Sequence, residues 1–149
     1  MPAFAVKHIL AEQGPLSAVM KDVRRVPYSF TSREREAKDA ARGHFVFVFE
    51  VRSEGGRPSY WLGYKYRAHE AFSLAGGARY KGEFRFKNSA TPGVPADGVY
   101  FDDPVLVQHP GVVEWLARKQ PGMAQIPASL IPELDSIIAD PRNGARPFT

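Results

Sequence analysis

"HFVFVFEVRSEGGRPSYWLGYKYR", residues 44–67, decides the fold. In its first half Phe45, Phe47 and Phe49 alternate with Val46 and Val48, so both faces are apolar and the strand should lie in the middle of a sheet. "EGGRP" (54–58) reads as a turn, and the chain then returns as a partner strand. Period-two alternation predicts Tyr60, Leu62, Tyr64 and Tyr66 on one face of that partner, with Trp61, Gly63, Lys65 and Arg67 on the other. The two segments read as an antiparallel hairpin.

Upstream, "AFAVKHIL" (3–10) is predicted to be a strand closed by Gly14-Pro15, and "LSAVMKDVRRV" fits either a short helix or a strand ended by Pro27. "TSREREAKDAARG" reads as a helix, with Thr31 and Glu34 at capping-box spacing and Gly43 as its stop. Its only apolar face is Ala37, Ala40 and Ala41, so it is expected to be exposed and weakly held. Downstream, "ARYKGEFRFKN" (78–88) is predicted as a third strand, and "VYFDDPVLVQ" (99–108) as a last one, interrupted at Asp103-Pro104. "GVVEWLARKQ" and "ASLIPELDSIIAD" read as helices, the second with Pro132 in its first turn and Leu134, Ile137 and Ile138 facing inward. "PRNGARPFT" (141–149) reads as a loose tail. This order predicts a single α+β domain: a curved, mainly antiparallel sheet or partial β-barrel with one early helix and two C-terminal helices.

Composition narrows the function. With 149 residues, 44% hydrophobic and 24% charged, the chain has the make-up of one globular domain. It holds no cysteine, which excludes disulfides, thiolate metal sites and a cysteine nucleophile, and suits a cytoplasmic protein. No run of about 18 apolar residues or basic-then-apolar leader occurs, so neither membrane insertion nor a signal peptide is expected. The net charge of +4 is unevenly spread. Residues 57–87 hold seven Lys/Arg against two acids, a net of +5, and the rest holds thirteen against fourteen. A local basic stripe attracts polyanions.

Within that stripe Lys65 and Arg67 share one strand face, as do Arg85 and Lys87, and adjacent antiparallel strands would merge them. Cations neutralise phosphates and aromatic faces stack bases. The predicted contacts are Lys65, Arg67, Arg79, Lys81, Arg85 and Lys87 to phosphates, with Trp61, Tyr64, Tyr66 and Tyr80 as stacking candidates. An amphipathic strand with a solvated cationic face would give the same pattern without a ligand. The glycine-rich "SLAGGARYKG" (73–82) could cradle an anion, but it matches neither a P-loop nor G-x-G-x-x-G.

Catalytic patterns are absent. His8, His44, His69 and His109 show no metal-ligand spacing, no G-x-S-x-G elbow occurs, and adjacent Asp102 and Asp103 would point to opposite faces of a strand. A carboxylate-and-lysine nuclease would have only Glu50 and Lys65 to draw on. No cofactor or metal is predicted. Three functions remain: a nucleic-acid-binding module for RNA or for single-stranded or modified DNA, a small enzyme or binder acting on an anionic small molecule with His69 or His44 as acid-base, and an interaction subunit forming a homodimer.

"GVYFDDPVLVQHPGVVEWLARKQPGMAQIPASLIPELDSII" (98–138) resembles the closing segment of PUA-like domains of the EVE, YTH and ASCH kind in its succession of a proline-bounded strand, a helix, a glycine-containing turn and a last "IP..L...I" helix. The resemblance implies a curved sheet or partial barrel flanked by helices, with a pocket that reads nucleic acid, often a modified base. It assigns no individual residue, because "MPAFAVKHILAEQG" lacks the tryptophan-bearing strand and acidic-aromatic motif with which such domains open.

Overall fold

The computed structural model describes residues 2–10, 14–18, 20–23, 26–74, 85–92, 96–118 and 122–148, the side chains of Lys21, Asp22, Leu74 and Arg85 excepted. The strands are β1 (Ala3–Ile9), β2 (Tyr28–Thr31), β3 (Phe45–Glu54), β4 (Arg57–Arg67), β5 (Glu70–Leu74), β6 (Arg85–Ser89), β7 (Gly98–Leu106), β8 (Met123–Gln125) and β9 (Arg146–Pro147). The helices are α1 (Met20–Val23), α2 (Glu34–Ala40), α3 (Pro110–Ala117) and α4 (Ile131–Ala139). The fold is α+β.

As its alternation requires, β3 is interior to a six-stranded sheet of order β8-β1-β3-β4-β7-β9. Among the described strands of this sheet only β1 and β3 run parallel; the other pairs are antiparallel. The sheet ends on two different strands, so it is open and does not close into a barrel. The connection from β1 to β3 carries α1, β2 and α2 across one face, and β2 joins β6 and β5 in a separate antiparallel sheet of order β2-β6-β5. Neither β2 nor β5 is legible as a strand from the sequence, and β6 pairs with these two instead of with β4.

Each face of the large sheet has its own core. On one, Phe47, Phe49, Tyr60, Leu62 and Phe101 meet Val112, Trp115 and Leu116 of α3 and Leu134 of α4. On the other, Phe4, Val6, Val46, Val48, Tyr64 and Tyr66 meet Leu16, Met20, Val23 and Ala40. The row Tyr60, Leu62, Tyr64, Tyr66 expected on one face is therefore split. Pairing passes from Phe49 opposite Leu62 to Val48 opposite Tyr64, which leaves Gly63 as an extra residue and reverses the pleat. Glycine suits that position, because a Cβ on Gly63 would force the buried Leu16 side chain to shift.

Helix α2 is exposed at Glu34, Arg35, Lys38 and Asp39 as expected and seats the predicted Ala37 and Ala40, with the Asn88 side-chain amide donating to the Ala37 carbonyl at 2.8 Å. Two further expectations are corrected. The helix lacks a capping box: Thr31 belongs to β2, and its hydroxyl accepts from the Arg33 amide at 3.0 Å. The C-terminal stretch is no loose tail through Phe148, which is buried against Tyr64 and Tyr100 after the chain has added β9 to the sheet edge.

Overpacking at a bulge of this kind costs about 1–3 kcal/mol. Gly63→Ala should lower unfolding free energy by that amount in urea titration. Leu16→Ala costs about 2–5 kcal/mol alone. The double variant should fall well short of the sum, because removing Leu16 makes room for the new methyl group.

Candidate nucleic-acid interface

The bulge at Gly63 turns Tyr64 and Tyr66 away from solvent, and both are structural. Their rings are 2% and 0% exposed, and their hydroxyls reach across to the small sheet. Tyr64 donates to the Tyr28 carbonyl at 2.6 Å, and Tyr66 to the Asn88 carbonyl at 3.2 Å. With its one proton so used, Tyr66 accepts from the Ser29 hydroxyl at 2.6 Å. Burial raises the pKa of both phenols, that of Tyr64 well above the ordinary tyrosine value, while the Ser29 hydrogen bond offsets part of the rise at Tyr66. Neither ring offers a face to a base.

The other β4 candidates are also engaged. Lys65 lies over the Phe45 ring at 4.3 Å and pairs with Asp135 of α4 at 2.8 Å. Arg67 lies over the same ring at 4.4 Å, pairs with Asp97 at 3.0 Å and donates to the Gly43 carbonyl at 2.9 Å. They line a shallow recess of about 290 Å³ with Val99 and Ile138, but its two cations face two carboxylates and it carries no excess charge. Trp61 points to the opposite face, where the Arg52 guanidinium covers its ring at 4.0 Å and its indole N–H donates to Ser59 at 2.9 Å. Arg52 in turn pairs with Glu50, a carboxylate 2% exposed that also accepts from the Leu16 amide at 2.5 Å. Glu50 thus secures the turn that carries Leu16 over the bulge. It stands on the other side of the sheet from Lys65, so the two do not form a nuclease pair.

The remaining candidates belong to the β5–β6 region. Arg79, Tyr80, Lys81 and the Arg85 side chain lie outside the described residues. Lys87 is described, and its setting differs from that of Lys65 and Arg67. On the central strand of the small sheet it stands directly opposite Phe30 of β2 and opposite Phe72 of β5. Paired residues of an antiparallel sheet share a face, so one cation is flanked by an aromatic ring on each side. Phe30 is 38% and Phe72 47% exposed, the two largest values among the exposed large hydrophobics together with Ile9. Tyr28 completes the group, with the Lys87 ammonium 4.7 Å from its ring centre and its ring edge-on to Phe30 at 5.5 Å. Lys87 makes no ion pair with a described residue. The inner face of the same sheet is sealed by buried Ser29, Thr31, Phe86 and Asn88.

Sequence reading missed Phe30 and Phe72. The signal was the alternation in "YSFT" (28–31) and "EAFSL" (70–74), short segments without the apolar density of β3.

Acid-base chemistry finds a single meeting of histidine and carboxylate among the described ion pairs. His109 Nε2 lies 3.7 Å from Glu133 in a cleft of about 550 Å³ between the end of β7 and α4. Its Nδ1, however, accepts from the Val112 amide as the cap of α3, so the neutral ring carries its proton on Nε2 and has no free lone pair to act as a base. Among the described residues no group of three or more His, Asp or Glu could hold a metal ion, and no helix is long and apolar enough to cross a membrane.

The tyrosine assignment has an alkaline signature. Folded Tyr64 and Tyr66 keep protons that the unfolded chain loses above about pH 10. Stability should therefore be unaffected by these groups below that pH and fall above it, by up to about 1.4 kcal/mol per pH unit for each tyrosine. Burial raises the Tyr60 value in the same sense and lowers that of Lys7 in the opposite one, so a single group acts against three. Absorbance titration of the six tyrosines should show two that ionise only as the chain unfolds. Comparison with protein-family models, with curated proteins and with solved structures gives no match for this chain.

Proposed function

We propose that this protein binds single-stranded nucleic acid on the outer face of its three-stranded sheet, with Lys87 on phosphate and Phe30 and Phe72 stacking bases. The observation that carries the reading is the Lys87 ammonium, without an ion pair among the described residues, between two exposed rings. An exposed phenylalanine on a sheet loses free energy to water, and two on either side of a free cation match the alternation of base and phosphate in a single strand. The surplus of positive charge in residues 57–87 supports a polyanionic ligand, and the resemblance of the C-terminal third to PUA-like domains points to the same ligand class. A cytoplasmic location belongs to this reading, since a cysteine-free chain suits a reducing compartment.

Fluorescence anisotropy with labelled single-stranded RNA, single-stranded DNA and duplex DNA tests it at low and near-physiological salt. Single strands should bind and weaken as salt rises. Lys87→Ala should reduce affinity and flatten the logarithmic salt dependence by about 0.7. Phe30→Ala or Phe72→Ala should each cost about 1–3 kcal/mol. Lys65→Ala with Arg67→Ala should leave affinity within about twofold, because those cations are matched by Asp135 and Asp97. No binding to any strand at low salt would contradict the proposal.

A further inference from the structure

Pairing register fixes more about such a ligand than its class. The cation stands on the central strand and the rings stand on the two outer strands, all three at one level of the sheet, since Lys87 is the direct partner of both Phe30 and Phe72. Adjacent strands are about 4.8 Å apart, so the two phenylalanines are separated by two strand spacings, about 10 Å. Stacked neighbours in a nucleic-acid strand are only about 3.4 Å apart. Two bases that remain stacked on each other cannot cover both rings. A single phosphate joins consecutive nucleotides, and the described structure provides a single cation between the rings.

We infer that the small sheet takes a dinucleotide step in a splayed form: the sugar-phosphate backbone runs along β6 over Lys87, and consecutive bases are thrown to opposite sides, one onto Phe30 and the next onto Phe72. The inference rests on the nucleic-acid reading above and adds its register. Tyr28 reinforces it, because its ring already holds the Lys87 ammonium from the β2 side and limits where that charge can swing. A splayed step also gives a reason to reject duplexes, whose paired bases are locked in their stacks, without any base-specific hydrogen bond.

Hexanucleotides test the spacing, in whichever sugar binds by anisotropy, with all positions abasic except for one adenine, or for two adenines that are adjacent or separated by one or two abasic positions. The adjacent pair should bind at least about fivefold more tightly than a single adenine, and more tightly than either separated pair. Phe30→Ala and Phe72→Ala should each bring the adjacent pair down to the single-adenine level. Both positions are exposed, and unchanged circular dichroism would show the variants to be folded. The inference is overturned if a separated pair binds as tightly as the adjacent one, or if the gain from the second adenine survives both substitutions. Failure of the broader reading looks different: no all-base strand would bind the unaltered protein at low salt, and Lys87→Ala would change nothing.

Discussion

One extra residue in β4 organises this molecule. Gly63 sits where β3 and β4 slip by one position, and the slip sends Tyr60 and Leu62 to one face of the large sheet and Tyr64 and Tyr66 to the other. Strict alternation would instead put all four on one face. The gap over Gly63 is filled by Leu16, and the backbone amide of Leu16 is held by Glu50, a buried carboxylate neutralised by Arg52. The charge is tolerated because both of its oxygens are used.

The redirected tyrosines are what hold the second sheet. Tyr64 grips β2 through the Tyr28 carbonyl, while Tyr66 grips β6 and β2 through Asn88 and Ser29. Hydrogen bonds of this kind are specific because leaving any member unpaired in a dry interior costs about 1–3 kcal/mol. The inner face of the small sheet is thereby fixed, and its outer face is left with Phe30, Lys87 and Phe72 toward solvent. On the opposite side of the molecule, Lys65 and Arg67 are balanced by carboxylates and laid over Phe45. Local charge surplus and available charge are thus two separate things, and the free ammonium among the described β4 and β6 candidates is on β6.

The parts of the fold that were legible in the sequence are those that a single segment encodes alone. The Phe/Val alternation of β3, the Gly55-Gly56 turn, the apolar stripe of α4 with Pro132 in its first turn, and the α+β class all follow from local pattern. Register was not legible, because a bulge shows itself in sequence only as one glycine among aromatics, and alternation counted through it inverts every later face. Tyr64 and Tyr66 read as stacking candidates because nothing local shows that a second sheet covers them, and Lys65 read as a neighbour of Lys87 because the strands that pair with β6 were not recognised. Strands of four and five residues such as β2 and β5 carry too little alternation to be separated from loops, and with them Phe30 and Phe72 were lost from the candidate site. Trp61 was misplaced by the bulge: alternation put it on the face of Lys65 and Arg67, whereas the slip at Gly63 sends it to the other face, where Arg52 covers its ring.

The central claim is one of location: the ligand face is the outer side of β2-β6-β5 and not β4. Backbone amide chemical-shift mapping of the labelled protein, titrated with a short single-stranded oligonucleotide, tests it most directly. The account expects the largest shifts at Phe30, Phe72, Lys87 and their strand neighbours, with Lys65, Arg67 and the α3–α4 side unmoved. Shifts concentrated at Lys65, Arg67 and Phe45, or in the cleft of His109 and Glu133, would contradict it.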